Sequence, residues 1–377
     1  MLTWKEEIIF NDGDEFFSSL LSSIQSAQKT IKIETYIFEQ DELGHRFIDY
    51  LQEAARRGVE VKLLLDGAGC SEWDYDDAEK IRLKNLEIQF FHPLPWQRKH
   101  SRLWTYLNIT KVIRGFSLLN HRNHRKVFLI DEELAYVGSM NVTAKHLKSI
   151  SQNKSWRDTG VLIKGDKIKV LHESFQEAWN FYNNYILRYL RKKKATSGLP
   201  LLLLNRTIRQ RRTTYRGLLQ RLIHSKNKIY ITNPYFIPTT KLRKVLSNAV
   251  KRGVEVIAIF PNKSDFFGVK YAMQGIYSSL IKSGIQIFEY QPSMIHAKVL
   301  ITDHHVLIGS SNMNSRSLLL DLEVDVEITH PDNLQKINEQ FLEDLKQSKQ
   351  IQLSEWNQRS ILDKSMEKIF FWFRWVL

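Results

Sequence analysis

Two histidines, two lysines and two aspartates recur in one spacing. His124, Lys126 and Asp131 stand as His-x-Lys-x4-Asp, and His296, Lys298 and Asp303 repeat that pattern. Each copy is followed by a small-residue turn, Gly138-Ser139-Met140-Asn141 in the first and Gly309-Ser310-Ser311-Asn312 in the second. A pattern this long, recurring once and in order, points to two half-sites that meet in space. The chemistry that suits them is phosphoryl transfer. A neutral imidazole can attack phosphorus and form a covalent phosphohistidine. A second imidazole can protonate the departing alcohol and then deprotonate the incoming one. One histidine cannot do both, because the entering and leaving oxygens lie on opposite sides of an in-line transition state. The ammonium groups of Lys126 and Lys298 and the amides of Asn141 and Asn312 suit the non-bridging oxygens. Ser139 and Ser310 are further hydroxyl donors. Mg²⁺ often fills that electrostatic role, so with two lysines present the set requires no metal and no cofactor.

Strands must position these groups. Val127, Leu129, Val299 and Ile301 make apolar alternations, and His124 with Lys126, like His296 with Lys298, share a strand face at period two. Asp131 and Asp303 complete the motifs and are counted with the catalytic set. They stand five residues beyond each lysine, an odd offset that turns them to the opposite face and points to a supporting role.

The repeat extends around the motifs. Runs 32–38 and 228–236 read as buried strands. Each leads into a helix with a similar end, Ala54-Ala55-Arg56-Arg57-Gly58-Val59 against Ala249-Val250-Lys251-Arg252-Gly253-Val254. Gly58 and Gly253 suit helix C-termini. Further strands are expected at 59–65, 86–91, 254–260 and 285–290. Alternating strands and helices predict an α/β fold in two pseudo-symmetric halves, each with a mixed sheet flanked by helices. The first half is expected over 1–190, closed by an aromatic-rich helix at 175–190. A basic linker follows at 191–204, then the second half at 205–350. The tail at 351–377 ends in aromatic residues and is a candidate interfacial anchor.

Composition narrows the partners. The 377 residues carry a formal net charge of +14 and a single cysteine, Cys70. One cysteine excludes an internal disulfide and suits a reducing compartment. The charge calls for an anionic partner. No Asp or Glu lies between Glu87 and Asp131, or between Glu177 and Glu255, while Lys, Arg and aromatic residues accumulate in both stretches. Such stretches suit an anionic lipid surface; a nucleic-acid backbone is the less favoured partner. No apolar run approaches the length needed to span a bilayer. Segments 91–119 and 265–281 precede the two motifs and are candidate lids for acyl chains.

The residues as a set resemble the phospholipase D superfamily over nearly the whole chain. The nearest likeness is to bacterial cardiolipin synthases of the type without N-terminal transmembrane helices. Beside the duplicated motif, the likeness is carried by Ile33-Glu34-Thr35-Tyr36-Ile37-Phe38, Trp156-Arg157-Asp158-Thr159, Asn233-Pro234-Tyr235-Phe236 and Asn312-Met313-Asn314-Ser315-Arg316-Ser317, the last running on to Glu323. Asp321 and Asn314 depart from the usual pattern, which often has Asn and Asp there. The resemblance implies two halves with the site between them. It also implies His124 as nucleophile and His296 as general acid, then base. Asp158 and Glu323 fall at comparable places after the two motifs and are expected to orient the imidazoles. The resemblance crosses them between halves, Glu323 to His124 and Asp158 to His296. The expected reaction is phosphatidyl transfer from one phosphatidylglycerol to another, releasing glycerol. A phospholipase D-type hydrolase is the alternative and a superfamily nuclease the weaker one. The expected location is peripheral, on the bacterial cell membrane at its cytoplasmic face.

Overall fold

The computed structural model describes residues 3–98, 121–180, 201–205 and 207–372. Fifteen strands among them form two sheets. The first sheet contains β1 (Glu6–Phe10), β2 (Thr30–Thr35), β3 (Glu60–Asp66), β4 (Leu86–Phe91), β5 (Val127–Ile130), β6 (Leu134–Gly138) and β7 (Gly160–Lys164). The second contains β8 (Leu202–Leu204), β9 (Lys228–Thr232), β10 (Glu255–Pro261), β11 (Gln286–Tyr290), β12 (Val299–Thr302), β13 (Val306–Gly309), β14 (Val324–Ile328) and β15 (Ser348–Gln350).

The inner strands are apolar because both of their faces are covered. β3 reads EVKLLLD and β10 reads EVIAIFP, and each pairs in parallel with its neighbours. The parallel register requires crossover helices, and the sequence supplies the stops. Glu42–Arg56 starts on the Asp41 side chain, which accepts from the Gly44 N–H. It ends before Gly58 at φ 98°, just as Thr240–Lys251 ends before Gly253 at φ 89°. Only glycine takes that conformation without a Cβ clash.

Strand order exposes the duplication. The first sheet runs β4-β3-β2-β5-β6-β7-β1, and the second runs β15-β11-β10-β9-β12-β13-β14-β8. Aligning them matches β8 with β1 and leaves β15 as an added edge strand. The linker expected over 191–204 is therefore too long at its end: Leu202–Leu204 form β8, paired antiparallel with β14 as β1 is with β7. Leu202 and Leu204 enter the apolar cluster between the sheets and Leu203 packs among the second half's helices, and all three are worth more buried than solvated. The tail also begins as structure: Leu353–Asn357 and Ile361–Trp372 are helices, and Phe370 stacks on Tyr271. Residues 181–190 of the closing helix, 191–200 of the linker, 99–119 of the first lid and 373–377 of the tail lie outside the described residues.

The halves share one core. Val127, Leu129, Val137 and Val161 from the first sheet cluster with Val299, Ile301, Ile308 and Val324 from the second. Phe128 and Ile130 point the other way, into the first half's helices, and Leu300 into those of the second. Period-two alternation thus separates the apolar seam from the face that carries the lysines. Arg157 reaches across with a bidentate pair to Asp344, 3.0 and 2.8 Å. No described helix is long and apolar enough to cross a membrane.

Candidate active site

Each histidine lies just ahead of its motif strand, on a segment zipped to the other half. The His124 N–H donates to Leu322 O at 3.0 Å, and the Leu322 N–H returns to Arg122 O at 2.8 Å. On the other side the His296 N–H donates to Arg157 O at 2.8 Å, and Arg157 N–H to Met294 O at 2.9 Å. The residue after each bridging partner is a carboxylate. Crossing follows directly: Glu323 Oε2 lies 3.1 Å from His124 Nδ1, and Asp158 Oδ2 lies 2.8 Å from His296 Nδ1. Each Nδ1–H donates to an acid of the opposite half, which leaves Nε2 as the free lone pair. His124 Nδ1 also lies 3.1 Å from Ser310 O, and His296 Nε2 accepts from Lys298 Nζ at 3.1 Å. Both contacts fit that tautomer.

The small-residue turns serve the carboxylates. The Ser139 hydroxyl donates to Asp158 and the Ser310 hydroxyl to Glu323. This corrects the expectation that these serines face phosphate; their only hydroxyl protons are already engaged. Asn141 Oδ1 accepts from the Ile37 N–H at 3.2 Å, while Asn312 Oδ1 is buried without a hydrogen-bond partner. Asp131 and Asp303, counted with the catalytic set, stand apart from the imidazoles. Asp131 accepts the N–H groups of Gln28, Lys29 and Thr30. Asp303 accepts those of Lys226, Asn227 and Lys228. Each carboxylate ties the turn that opens β2 or β9 to the far end of the motif strand. Asn314, one of the departures, caps the helix Ser315–Leu319 by accepting from the Ser317 N–H, a task Asn and Asp perform alike.

The cleft is buried and cationic. Lys126 Nζ donates to His124 O at 2.6 Å, and Lys298 Nζ to His296 O at 2.9 Å. Burial, reinforced by Lys298, brings the Lys126 ammonium down to about 7, and burial brings Lys298 down to about 8. Two such charges side by side make an anion the natural occupant. Burial and the neighbouring lysines keep both imidazoles neutral, His296 at about 3 and His124 well below its ordinary value. The carboxylates diverge. Burial pushes Glu323 up to about 7 against Lys126, Ser310 and Ser317. Burial would raise Asp158 too, but His296, His146 and Lys298 outweigh it and hold that acid well below the usual range.

Four neighbours escaped the sequence reading as site residues. The Tyr36 ring packs 4.9 Å from the His124 ring, and Tyr235 lies 6.1 Å from His296. Their place just beyond the matching strands β2 and β9 was the available signal. Ser317 donates to Glu323. His146 is buried, with its ring 6.0 Å from that of His296. Among the described residues, His146, Asp158 and His296 form the one set of three donors with atoms within 4.8 Å. Hydrogen bonds already occupy His296 Nδ1 and Asp158 Oδ2, and Lys298 sits 3.1 Å from His296 Nε2. The set is read as a hydrogen-bonded cluster rather than a metal centre. The segment expected as the second lid, 265–281, is largely the helix Phe267–Lys282. Its Val269, Met273, Ile276 and Tyr277 face the core, and of the large apolar side chains here only Phe266 and Phe267, at its start, are strongly exposed.

The chain is similar to known proteins. A family model described as "Cardiolipin synthase, PLD-like domain" matches residues 20–179 and 218–345. The probable cardiolipin synthase YwiE of Bacillus subtilis is 29% identical over 98% of this chain and 72% of its own length. Cardiolipin synthase 2 of Staphylococcus epidermidis is 31% identical over 96% of this chain and 72% of its own. The crystal structure of phosphatidylserine synthase from Haemophilus influenzae superposes with a TM-score of 0.72 at 18% identity, covering 99% of this chain and 94% of that one. The duplicated fold, the paired motifs and these matches together place the chain in the cardiolipin synthase family of the phospholipase D superfamily, as a phosphatidyltransferase.

Proposed function

We propose that this enzyme makes cardiolipin from two molecules of phosphatidylglycerol through a phosphohistidine on His124, releasing glycerol. The carrying observation is the crossed pair of imidazoles, each with Nδ1 held by a carboxylate of the other half and each with a buried lysine on its own residue's backbone carbonyl. In the first step His124 Nε2 forms a bond to phosphorus and the bond from phosphorus to the glycerol oxygen breaks. His296, neutral in the empty site, takes up a proton on Nε2 from solvent as the phosphodiester anion enters, and gives that proton to the departing alkoxide. Ionised Asp158 stabilises this imidazolium, as does the phosphodiester anion. In the second step His296 takes the proton from the hydroxyl of the second lipid, whose oxygen displaces His124 from phosphorus. Lys126 and Lys298 hold the non-bridging oxygens throughout. The side chain of His124 keeps 12% of its surface open against 4% for His296, which favours His124 as the attacking group. The enzyme works from the surface of an anionic phospholipid membrane, at its cytoplasmic face. Asn141 and Asn312 join the phosphate site through their amide N–H groups.

The test uses phosphatidylglycerol vesicles in EDTA, with the lipids separated by chromatography and glycerol assayed in the supernatant. Cardiolipin and glycerol in equal amounts support the proposal. Phosphatidic acid alone makes the enzyme a hydrolase, and a nicked plasmid with intact lipid makes it a nuclease. His124→Ala and His296→Ala should each lose at least about a thousandfold in turnover. Enzyme denatured with SDS at neutral pH, where the phosphohistidine bond survives, should carry labelled phosphatidyl in His296→Ala but not in His124→Ala. The reverse pattern would exchange the two roles.

A further inference from the structure

The two half-sites match at nearly every position, and they part at one. In each half the residue that receives the backbone N–H of the turn asparagine comes at the same offset. The Asn312 N–H donates to Ser317 Oγ at 2.8 Å, and the Asn141 N–H donates to His146 Nε2 at 3.2 Å. Ser317 then donates its one proton to Glu323. His146 has accepted at Nε2, so its neutral form carries the proton on Nδ1. That Nδ1 is buried, makes no hydrogen bond within normal limits, and faces Asp158 Oδ2 at 3.5 Å. The same oxygen takes His296 Nδ1 at 2.8 Å. A hydroxyl in one half is thus replaced by an imidazole in the other.

We propose that His146 is a positioning residue that breaks the symmetry of the site: its Nδ1–H holds Asp158 as an anion behind His296 and so assigns proton transfer to the second half. This rests on the division of roles proposed above and supplies the physical cause that sequence symmetry conceals. Asp158 faces His146 and His296 at its carboxylate, with Lys298 adding to their pull. Lys126 and Tyr235 feel its charge from further away, and Arg157 binds its backbone carbonyl. Both imidazoles and the Ser139 hydroxyl therefore point protons at one acid. Glu323 has only one imidazole beside its two serines. His146 itself remains neutral, since burial lowers it to about 4. An anionic Asp158 stabilises an imidazolium on His296. Glu323, more readily protonated, leaves His124 neutral and nucleophilic.

The sign of the effect is fixed. Removing His146 removes one cause that keeps Asp158 ionised, so Asp158 gains its proton at a higher pH and the acid limb of turnover moves up. The experiment compares full-length wild type, His146→Ser and His146→Gln on a soluble phosphodiester, so that vesicle binding does not enter. His146→Ser copies the other half. His146→Gln keeps an acceptor for Asn141 and a donor for Asp158. We expect the acid limb of kcat to rise by about one pH unit in His146→Ser and kcat on the acid side of that limb to fall about tenfold, with KM little changed. His146→Gln should recover most of both. An unshifted acid limb in a folded His146→Ser, or equal losses in the serine and glutamine variants, overturns the proposal. If His146→Ser fails to fold, His146→Gln alone decides: a wild-type profile supports the proposal and a shifted limb refutes it. Failure of the proposed reaction itself shows separately, as full turnover in His296→Ala.

Discussion

At the scale of single residues, the site is organised around charge taken out of water. Two lysines share one cleft; burial, reinforced by Lys298, brings Lys126 to about 7, and burial brings Lys298 to about 8. An ammonium whose folded value is depressed is charged below that value and loses its charge as pH rises through it. Phosphate binding needs the charge. The free enzyme's kcat/KM should therefore fall above about pH 7, as Lys126 loses its charge, and more steeply above about pH 8, as Lys298 follows. Lys298→Arg keeps its charge at every accessible pH. Its kcat/KM should be lower overall but with the alkaline limb moved toward the Lys126 value, which a pH–rate profile measures directly. An identical limb in both proteins would exclude Lys298 as its source.

At the scale of elements, the motif aspartates act as clamps on backbone. Asp131 and Asp303 each accept three consecutive N–H groups at the turn leading into the neighbouring strand. Charge-assisted bonds of this kind are worth more than neutral ones. Asp131→Ala or Asp303→Ala should cost about 2 kcal/mol of stability, seen as a lower urea midpoint. The pH profile of residual turnover should not move. A shifted profile at undiminished stability would return these aspartates to the reacting centre. The same clamp in both halves explains why the motif ends in Asp although its carboxyl does not reach the imidazoles.

At the scale of the whole molecule, the halves are interlocked rather than merely adjacent. Each imidazole takes its carboxylate from the other half, the inner faces of both sheets share one core, and Arg157 pairs with Asp344 across the seam. Side chains of Arg157 and Asp344 keep 11% and 3% of their surface. Arg157→Ala leaves the acid buried and unpaired, which should cost about 3 kcal/mol and reduce turnover by displacing Asp158; thermal melts and kcat report the two effects. Outside the seam, Phe266 and Phe267 at 60% exposure and Ile361 and Leu362 at 83% and 73% lie on the second half. If these side chains enter the lipid interface, Phe266→Ser with Phe267→Ser should reduce co-sedimentation with anionic vesicles about fivefold. Turnover of a soluble phosphodiester should be preserved. Unchanged sedimentation would exclude these two rings as an anchor.

Much of this molecule is legible from residue order because its information is local or repeated. Strand periodicity marks the buried runs, glycines with basic neighbours mark where helices stop, and recurrence of His-x-Lys-x4-Asp declares two halves of one α/β fold. Edges of the pattern were harder. Leu202–Leu204 look like the end of a linker because their partner, β14, lies far along the chain. Ser139 and Ser310 look like phosphate donors until the folded chain turns their hydroxyls to Asp158 and Glu323. His146 carries no motif at all; it matters only because the Asn141 turn returns it to Asp158, beside a histidine from the other half. Spacing along a strand dictates which side chains share a face. Which acid stands behind which imidazole, and how strongly each is ionised, depends on burial and on charges brought from distant segments, and only the tertiary structure decides those.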